Sequence, residues 1–483
     1  MAETVKALAA AVKKVRGRSA KSKVTMAFAA TLASSDVRPS DSVRLEGSLP
    51  AWLAGRLLRT APAVFRTANF QAHHWFDALG ILYTFELSPA GVRYKERLLD
   101  SHYAAQAQSG AVRSASFGTP MQRSFLRRVF EPIPEPTDNA NVNVLRMGSD
   151  WVALTESPYQ LVVDPGSLEV QGRVQYTDRL PSGTIMTAHP QFDFERGLVV
   201  NLGTVLGRRA ELHAYAHAPD SRERIVFGRI SLSELPYVHS FGLSAGALVV
   251  IAHPFQCAPY RVLWSNRGFI DHFEYRPELG TRLHVLDRKG AGAPRTFETE
   301  AFFTFHTVNT FEDGQDLVLD LLAYPDAAIV DSLRVDAIES GLPPLRPSFR
   351  RVRMHPNGRT SHETLSDPGF EFPSIDYRRV QGKRQRYVWG STAMADGKDV
   401  VGVDLESGVV RHFGIEGHRF GEPVFVGRPG ASEEADGVLL SVGSSQTRAA
   451  LAVLDARTLE PRALAHLESP IPLGFHGSFS LTG

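Results

Sequence analysis

Phe302-Phe303-Thr304-Phe305-His306-Thr307-Val308-Asn309-Thr310 is followed, after Glu312-Asp313-Gly314, by Asp316-Leu317-Val318-Leu319-Asp320-Leu321. Aromatic and β-branched residues crowd the first run, and the second run is apolar again. The pattern predicts a β-hairpin turning at 312–314, with His306 near the end of a buried strand. A buried imidazole must find a partner. That partner is either a backbone carbonyl or a metal ion.

The same texture extends outward from about residue 40. Short apolar runs of strand length alternate with Gly, Pro and Asp turns, and long helical patterns are scarce. One pattern recurs: an apolar strand end, an Asp, then a turn closed by Leu-Glu or Gly. It stands at Leu161-Val162-Val163-Asp164-Pro165-Gly166-Ser167-Leu168-Glu169 and again at Ala452-Val453-Leu454-Asp455-Ala456-Arg457-Thr458-Leu459-Glu460. Looser copies turn at Asp193, Asp287 and Asp404. An Asp side chain can cap such a turn, and glycine supplies the positive φ. Any one copy is an ordinary hairpin. Several in one all-β chain favour a β-propeller, whose radial repetition hides sheet edges.

Composition narrows the class. Of 483 residues, 43% are hydrophobic and 22% charged, which is ordinary globular material. The net charge of +1 gives no bulk electrostatic case for nucleic acid. The single Cys257 rules out an intramolecular disulfide and fits a reducing compartment. No apolar run approaches the roughly 18 residues that would span a bilayer.

Two segments stand outside the strand texture. Residues 1–35 set seven lysines and arginines against the single acid Glu3, with Val5, Leu8, Val12 and Val15 at helical spacing. This is a basic amphipathic helix suited to an anionic surface, or a solvated tail. Residues 112–136 interleave Met121, Phe125, Leu126, Val129 and Phe130 with Arg123, Arg127 and Arg128, and prolines follow at 132, 134 and 136. That predicts a short amphipathic helix, either packed on the sheets or offering a greasy, basic-rimmed patch to a membrane. Residues 36–483 read as a single β-propeller domain.

Three further histidines share the strand-end context of His306. They are His189 in Met186-Thr187-Ala188-His189-Pro190, His239 in Tyr237-Val238-His239-Ser240-Phe241, and His476 in Gly474-Phe475-His476-Gly477. They lie 50, 67 and 170 residues apart in chain order, which fits no local metal motif. Only a fold that brings distant strands to one axis could assemble them. Four neutral imidazoles would suit iron, zinc or copper. Ligating histidines commonly donate the other ring N–H to a carboxylate. Glu156, Glu371 and Glu422 lie in apolar surroundings where an unpaired acid would be costly. Singly, each reads equally as a surface glutamate at a strand end.

At these residues the chain resembles the carotenoid cleavage oxygenases, non-haem iron enzymes that include lignostilbene dioxygenases and the vertebrate retinoid isomerohydrolase. The resemblance runs from about residue 45 to the C-terminus. Arg59-Thr60-Ala61-Pro62 is similar to the family's Arg-Asn-Gly-Pro, and His74-Trp75-Phe76-Asp77 matches its His-Trp-Phe-Asp signature. Thr137-Asp138-Asn139-Ala140-Asn141-Val142-Asn143-Val144, Thr155-Glu156-Ser157, Tyr237-Val238-His239-Ser240-Phe241-Gly242 and Phe370-Glu371-Phe372-Pro373 resemble the β-carotene oxygenase branch. Gly474-Phe475-His476-Gly477 resembles the family's closing motif. Ala61 and Ala78 stand where the family has glycine.

The resemblance implies an all-β, seven-bladed β-propeller, with short helices and loops capping an axial metal site. It implies Fe(II) held by His189, His239, His306 and His476. Glu156, Glu371 and Glu422 would pair with His239, His306 and His476 respectively. Val142 falls near the open iron position, where some relatives carry threonine. His74 is not a ligand in the family, and Asp77 reads as a structural hydrogen-bonding acid. The 112–136 segment matches the family's tunnel mouth. The implied reaction is cleavage of a conjugated C=C bond of a carotenoid or apocarotenoid by O2 to aldehyde or ketone products, with retinal-like ones included. The expected location is cytoplasmic with peripheral membrane contact. Stilbene cleavage and retinoid isomerisation are the rivals within the family. A non-catalytic metal-binding propeller that binds lipid or partners is the rival outside it.

Overall fold

The computed structural model describes residues 38–40, 43–262, 265–341, 345–367, 369–392 and 399–481. The expected N-terminal helix lies outside the described residues. Seven antiparallel sheets of four or more strands succeed one another among the described residues, and a three-stranded sheet stands beside them. The first sheet is built on Gly55–Val64, Leu79–Ser88 and Gly91–Leu98, and the second starts at Asn143–Met147. The fifth comprises Thr307–Asp313, Asp316–Ala323, Ser348–Met354 and Thr360–Ser366. The hairpin expected around His306 is its first pair. Asp313 faces Asp316 across a two-residue turn, so the turn sits one or two residues later than the sequence suggested. The last sheet is built on Gly437–Ser444, Ala449–Asp455 and Pro461–Leu467.

Inner strands are covered on both faces, so they read as continuous apolar runs; Asp316–Ala323 is buried at every position after the first. Outer strands face water, and Thr360–Ser366 has no buried residue. Apolar clusters lie between successive sheets. Leu58 and Leu82 pack on Val144 and Trp151, joining the first sheet to the second. Val249 and Leu283 pack on Leu317 and Val352, joining the fourth to the fifth. Leu57 and Phe85 meet Leu440 and Leu451, so the last sheet packs on the first. Each such leucine contributes about 1.5–3 kcal/mol by leaving water. The chain ends reinforce this contact: Arg44–Gly47 pairs with Pro461–Leu467, and Gly477–Leu481 pairs with Gly55–Val64.

The Asp turns are made as the sequence suggested. Asp164 Oδ1 accepts from the Gly166 and Ser167 N–H groups, and Asp455 Oδ1 from those of Arg457 and Thr458. Asp193 and Asp404 repeat the arrangement. Gly197, Gly290 and Gly408 supply the positive φ in the looser copies, but Leu168 and Leu459 take it at φ 63° and 59° in the two tight ones. That conformation is unfavourable for leucine. Burial of both side chains between sheets holds them there.

Short helices and loops cover one side of the sheets. Asp77 is buried and accepts from Phe117 N, Gly118 N and Thr119 Oγ1 at 2.7, 2.8 and 2.8 Å, so it tethers the 112–136 segment. Phe125–Phe130 is helical, with Phe125, Leu126, Val129 and Phe130 exposed. Met121 departs from the expectation for this patch. Its N–H donates to Asn266 O and its side chain is buried, so it anchors the segment from beneath. Among the described residues, no helix is long and apolar enough to cross a membrane.

Candidate metal centre

Two of the four expected histidines adjoin a strand, and the other two lie in short connections just beyond one. His306 immediately precedes Thr307–Asp313, and His476 immediately precedes Gly477–Leu481. His189 and His239 follow Ile185–Met186 and Leu235–Pro236 by three residues. Residues spread over 288 positions of chain thus meet, with one nitrogen of each ring within 4.8 Å of the others. His189 Nε2 and His239 Nε2 are 2.9 Å apart, and His306 Nε2 and His476 Nε2 are 3.2 Å apart.

The three glutamates stand behind three of these rings in the expected pairing. His239 Nδ1 lies 2.5 Å from Glu156 Oε1, His306 Nδ1 2.6 Å from Glu371 Oε2, and His476 Nδ1 2.8 Å from Glu422 Oε1. A carboxylate accepts only, so each Nδ1 carries the proton and each Nε2 keeps its lone pair for the centre. His189 has no such carboxylate among the described residues. Its loop is held by Thr187, whose hydroxyl donates to Asn201 Oδ1 at 2.6 Å while Asn201 Nδ2 donates to Thr187 O at 3.1 Å.

A further layer was not legible in the sequence. Tyr237 OH donates to Glu156 at 3.1 Å, and Tyr324 OH donates to Glu371 Oε1 at 2.7 Å. Arg59 Nη1 lies 3.3 Å from Glu422 Oε2. Tyr237 is two residues before a ligand candidate and Arg59 lies in a quoted motif, but nothing local marks their partners.

Burial, and then the neighbouring imidazoles, hold His189 well below the usual histidine range. Burial also lowers His476, against the upward pull of Glu422. Burial alone would raise Glu371, but the His306 ring, the Tyr324 hydroxyl and the Phe372 N–H outweigh it and keep the carboxyl below its ordinary value. Burial thus favours neutral rings at His189 and His476, and the donors around Glu371 favour its carboxylate. Four nitrogens at about 2.1 Å from one ion would lie within about 4.2 Å of one another. The observed spread needs only slight contraction, so the donor set fits a divalent metal.

His74 is elsewhere. Its Nε2 donates to Val330 O at 3.0 Å, its Nδ1 accepts from Phe76 N, and burial pushes it down to about 3. A cavity of about 400 Å³ reaches His239, His306 and His476, walled by Phe76, Phe117, Phe305, Phe372 and Phe475. Val142, whose carbonyl accepts from His476 N, lines it, as do Ile133 and Pro134.

The family model described as Retinal pigment epithelial membrane protein matches residues 33–481. The chain belongs to that family. Relatives of this retinal pigment epithelial membrane protein family include the mitochondrial carotenoid-cleaving dioxygenase of Mustela putorius furo, 28% identical over 91% of this chain and 93% of that one. The beta,beta-carotene 15,15'-dioxygenase of Mus musculus is 28% identical over 90% of this chain and 88% of its own length. Cobalt-substituted Synechocystis apocarotenoid oxygenase superposes with a TM-score of 0.84 over 95% of this chain and 99% of that one. At 22% identity that likeness is one of fold, and it makes this mostly β family member propeller-type.

Proposed function

We propose that this chain is an Fe(II)-dependent dioxygenase that cleaves a conjugated C=C bond of a carotenoid or apocarotenoid with O2, giving two aldehyde or ketone products. The observation that carries the reading is one constellation: four clustered imidazoles, three with carboxylates behind them, and an aromatic-walled cavity that reaches those three. His189, His239, His306 and His476 are the ligands of the ion. When bound, it supplies the one-electron and O2 chemistry that side chains lack. Glu156, Glu371 and Glu422 hold three rings in the Nδ1–H tautomer and raise the basicity of Nε2. The phenylalanine walls exclude water and hold an extended polyene by its faces. The Val142 side chain offers no hydrogen bond in the cavity, so its surroundings there stay apolar.

We read the seven successive sheets as the blades of one propeller spanning residues 36–483; the pairing of Arg44–Gly47 with the last sheet and of Gly477–Leu481 with the first supports this reading. Phe125, Leu126, Val129, Phe130 and Ile133 form an exposed apolar patch beside the cavity, with Arg127 and Arg128 among them. That pairing of apolar and basic side chains suits a peripheral contact with an anionic bilayer, from which an insoluble polyene would enter. The N-terminal basic segment 1–35 would add charge to the same contact.

The test is turnover. Protein loaded with Fe(II) without oxygen is given 18O2 with β-carotene, apocarotenals, a retinyl ester and a hydroxystilbene. Two labelled carbonyl products from a polyene support the reading. Geometric isomers without label would indicate isomerisation, and labelled benzaldehydes alone would indicate stilbene cleavage. Bound iron with no product would leave a binding protein.

A further inference from the structure

The three carboxylates behind the histidines are not equivalent. Glu156 and Glu371 receive tyrosine hydroxyls, which are neutral donors. Among the described residues, Glu422 alone of the three pairs with a guanidinium. Arg59 is 1% exposed, and its guanidinium makes three contacts: Nη1 with Glu422 Oε2 at 3.3 Å, Nη1 with Glu422 O at 3.2 Å, and Nη2 with Phe475 O at 3.0 Å. One planar group therefore grips the carboxylate and the backbone on either side of the Glu422–His476 hydrogen bond. Arg59 also lies directly opposite Gly477 in the strand pair, and Thr60 N donates to His476 O at 3.4 Å.

Charge makes the same point. A divalent ion carries two positive charges against three carboxylates, Glu371 buried and Glu156 and Glu422 largely so, and a residual charge in such a place is expensive. Arg59 supplies the third positive charge. Guanidinium stays protonated at any working pH and matches a carboxylate in shape.

We propose that Arg59 is a positioning residue of the metal centre: it fixes the Glu422 carboxylate against His476 and balances the third carboxylate around a divalent ion. This rests on the four-histidine reading above. Arg59 touches neither the ion nor the cavity, and it acts through Glu422.

Co(II) is the probe. Wild type, Arg59→Met, Arg59→Lys, Glu422→Gln and the Arg59→Met/Glu422→Gln double variant are titrated against a competing chelator. Visible absorption of the bound ion and far-UV circular dichroism are recorded alongside. Wild type should bind one ion, and failure there would overturn the metal reading itself. Each of Arg59→Met and Glu422→Gln should weaken Co(II) binding about 10- to 100-fold, the usual effect of removing such support. Both should shift the Co(II) bands at unchanged secondary structure. The double variant, with neither charge, should bind no worse than the weaker single variant, because the two residues act through one contact. Arg59→Lys keeps the charge without the fork and should fall between wild type and Arg59→Met. Wild-type affinity and spectrum in a folded Arg59→Met, or losses that multiply in the double variant, would overturn the proposal. Should Arg59→Met fail to fold, Arg59→Lys decides: weakened binding with shifted bands supports the role, and wild-type behaviour refutes it.

Discussion

Glu371→Gln is the most informative single change. Glu371 is 3% exposed and accepts three hydrogen bonds, from His306 Nδ1 at 2.6 Å, Tyr324 OH at 2.7 Å and Phe372 N at 3.2 Å. Glutamine fills the same space but has one acceptor oxygen and one NH2. If its oxygen faces His306, the NH2 confronts the Tyr324 hydroxyl. If the NH2 faces His306, ring Nδ1 must accept, the proton moves to Nε2, and the lone pair is lost from the centre. Either outcome removes a charge-assisted hydrogen bond. Loss of a carboxylate behind a ligating histidine lowers metal affinity about 10- to 100-fold, or about 1.4–2.8 kcal/mol. The folded apo-protein should lose less, because a neutral amide is easier to bury than a carboxylate. The assay is an anaerobic Fe(II) or Co(II) titration paired with urea melts of apo and loaded protein. Wild-type affinity in a folded Glu371→Gln would refute the claim that this carboxylate sets the His306 tautomer.

Tyr324→Phe leaves Glu371 Oε1 without its hydroxyl donor in a fully buried place, so apo stability should fall by about 1–3 kcal/mol in urea melts. Acid should destabilise the apo-protein: burial depresses His74 and His253 to about 3, so their contribution is complete above the ordinary 6.5 and is lost as pH falls towards 3, by up to about 1.4 kcal/mol per pH unit for each ring. His253 is 2% exposed, with Phe303 beside it and, among the described residues, no hydrogen-bond partner on another residue for either ring nitrogen. His253→Phe should therefore flatten the pH dependence of the urea midpoint below 6.5. Phe130→Glu, at a side chain 80% exposed, should leave folding unchanged within about 0.5 kcal/mol but reduce co-sedimentation with anionic vesicles about tenfold or more.

The sequence carried the local half of this structure well. Asp164 and Asp455 lie in the turns their neighbours suggested, His306 and His476 adjoin strands, and His189 and His239 lie three residues beyond one. These features are set within about ten residues of chain. What brings His189 and His476 together is the stacking of all the sheets between them, and no local pattern records that. Recognition by resemblance supplied the assembly, including the pairing of Glu156, Glu371 and Glu422 with their rings. The hydrogen-bond donors behind those acids escaped because a tyrosine two residues from a ligand, or at the end of a buried strand, looks like core. Met121 misled for a related reason: helical spacing gives the apolar face but not where the segment first touches the body of the protein.

The central claim is that four histidines from distant sheets hold one metal ion. Its most direct test is the iron content of wild type and His306→Ala after anaerobic loading with Fe(II) and gel filtration, both shown folded by circular dichroism. The expected result is one iron per chain in wild type and little or none in the variant. Iron-free wild type, or a full complement of iron in His306→Ala, would contradict it.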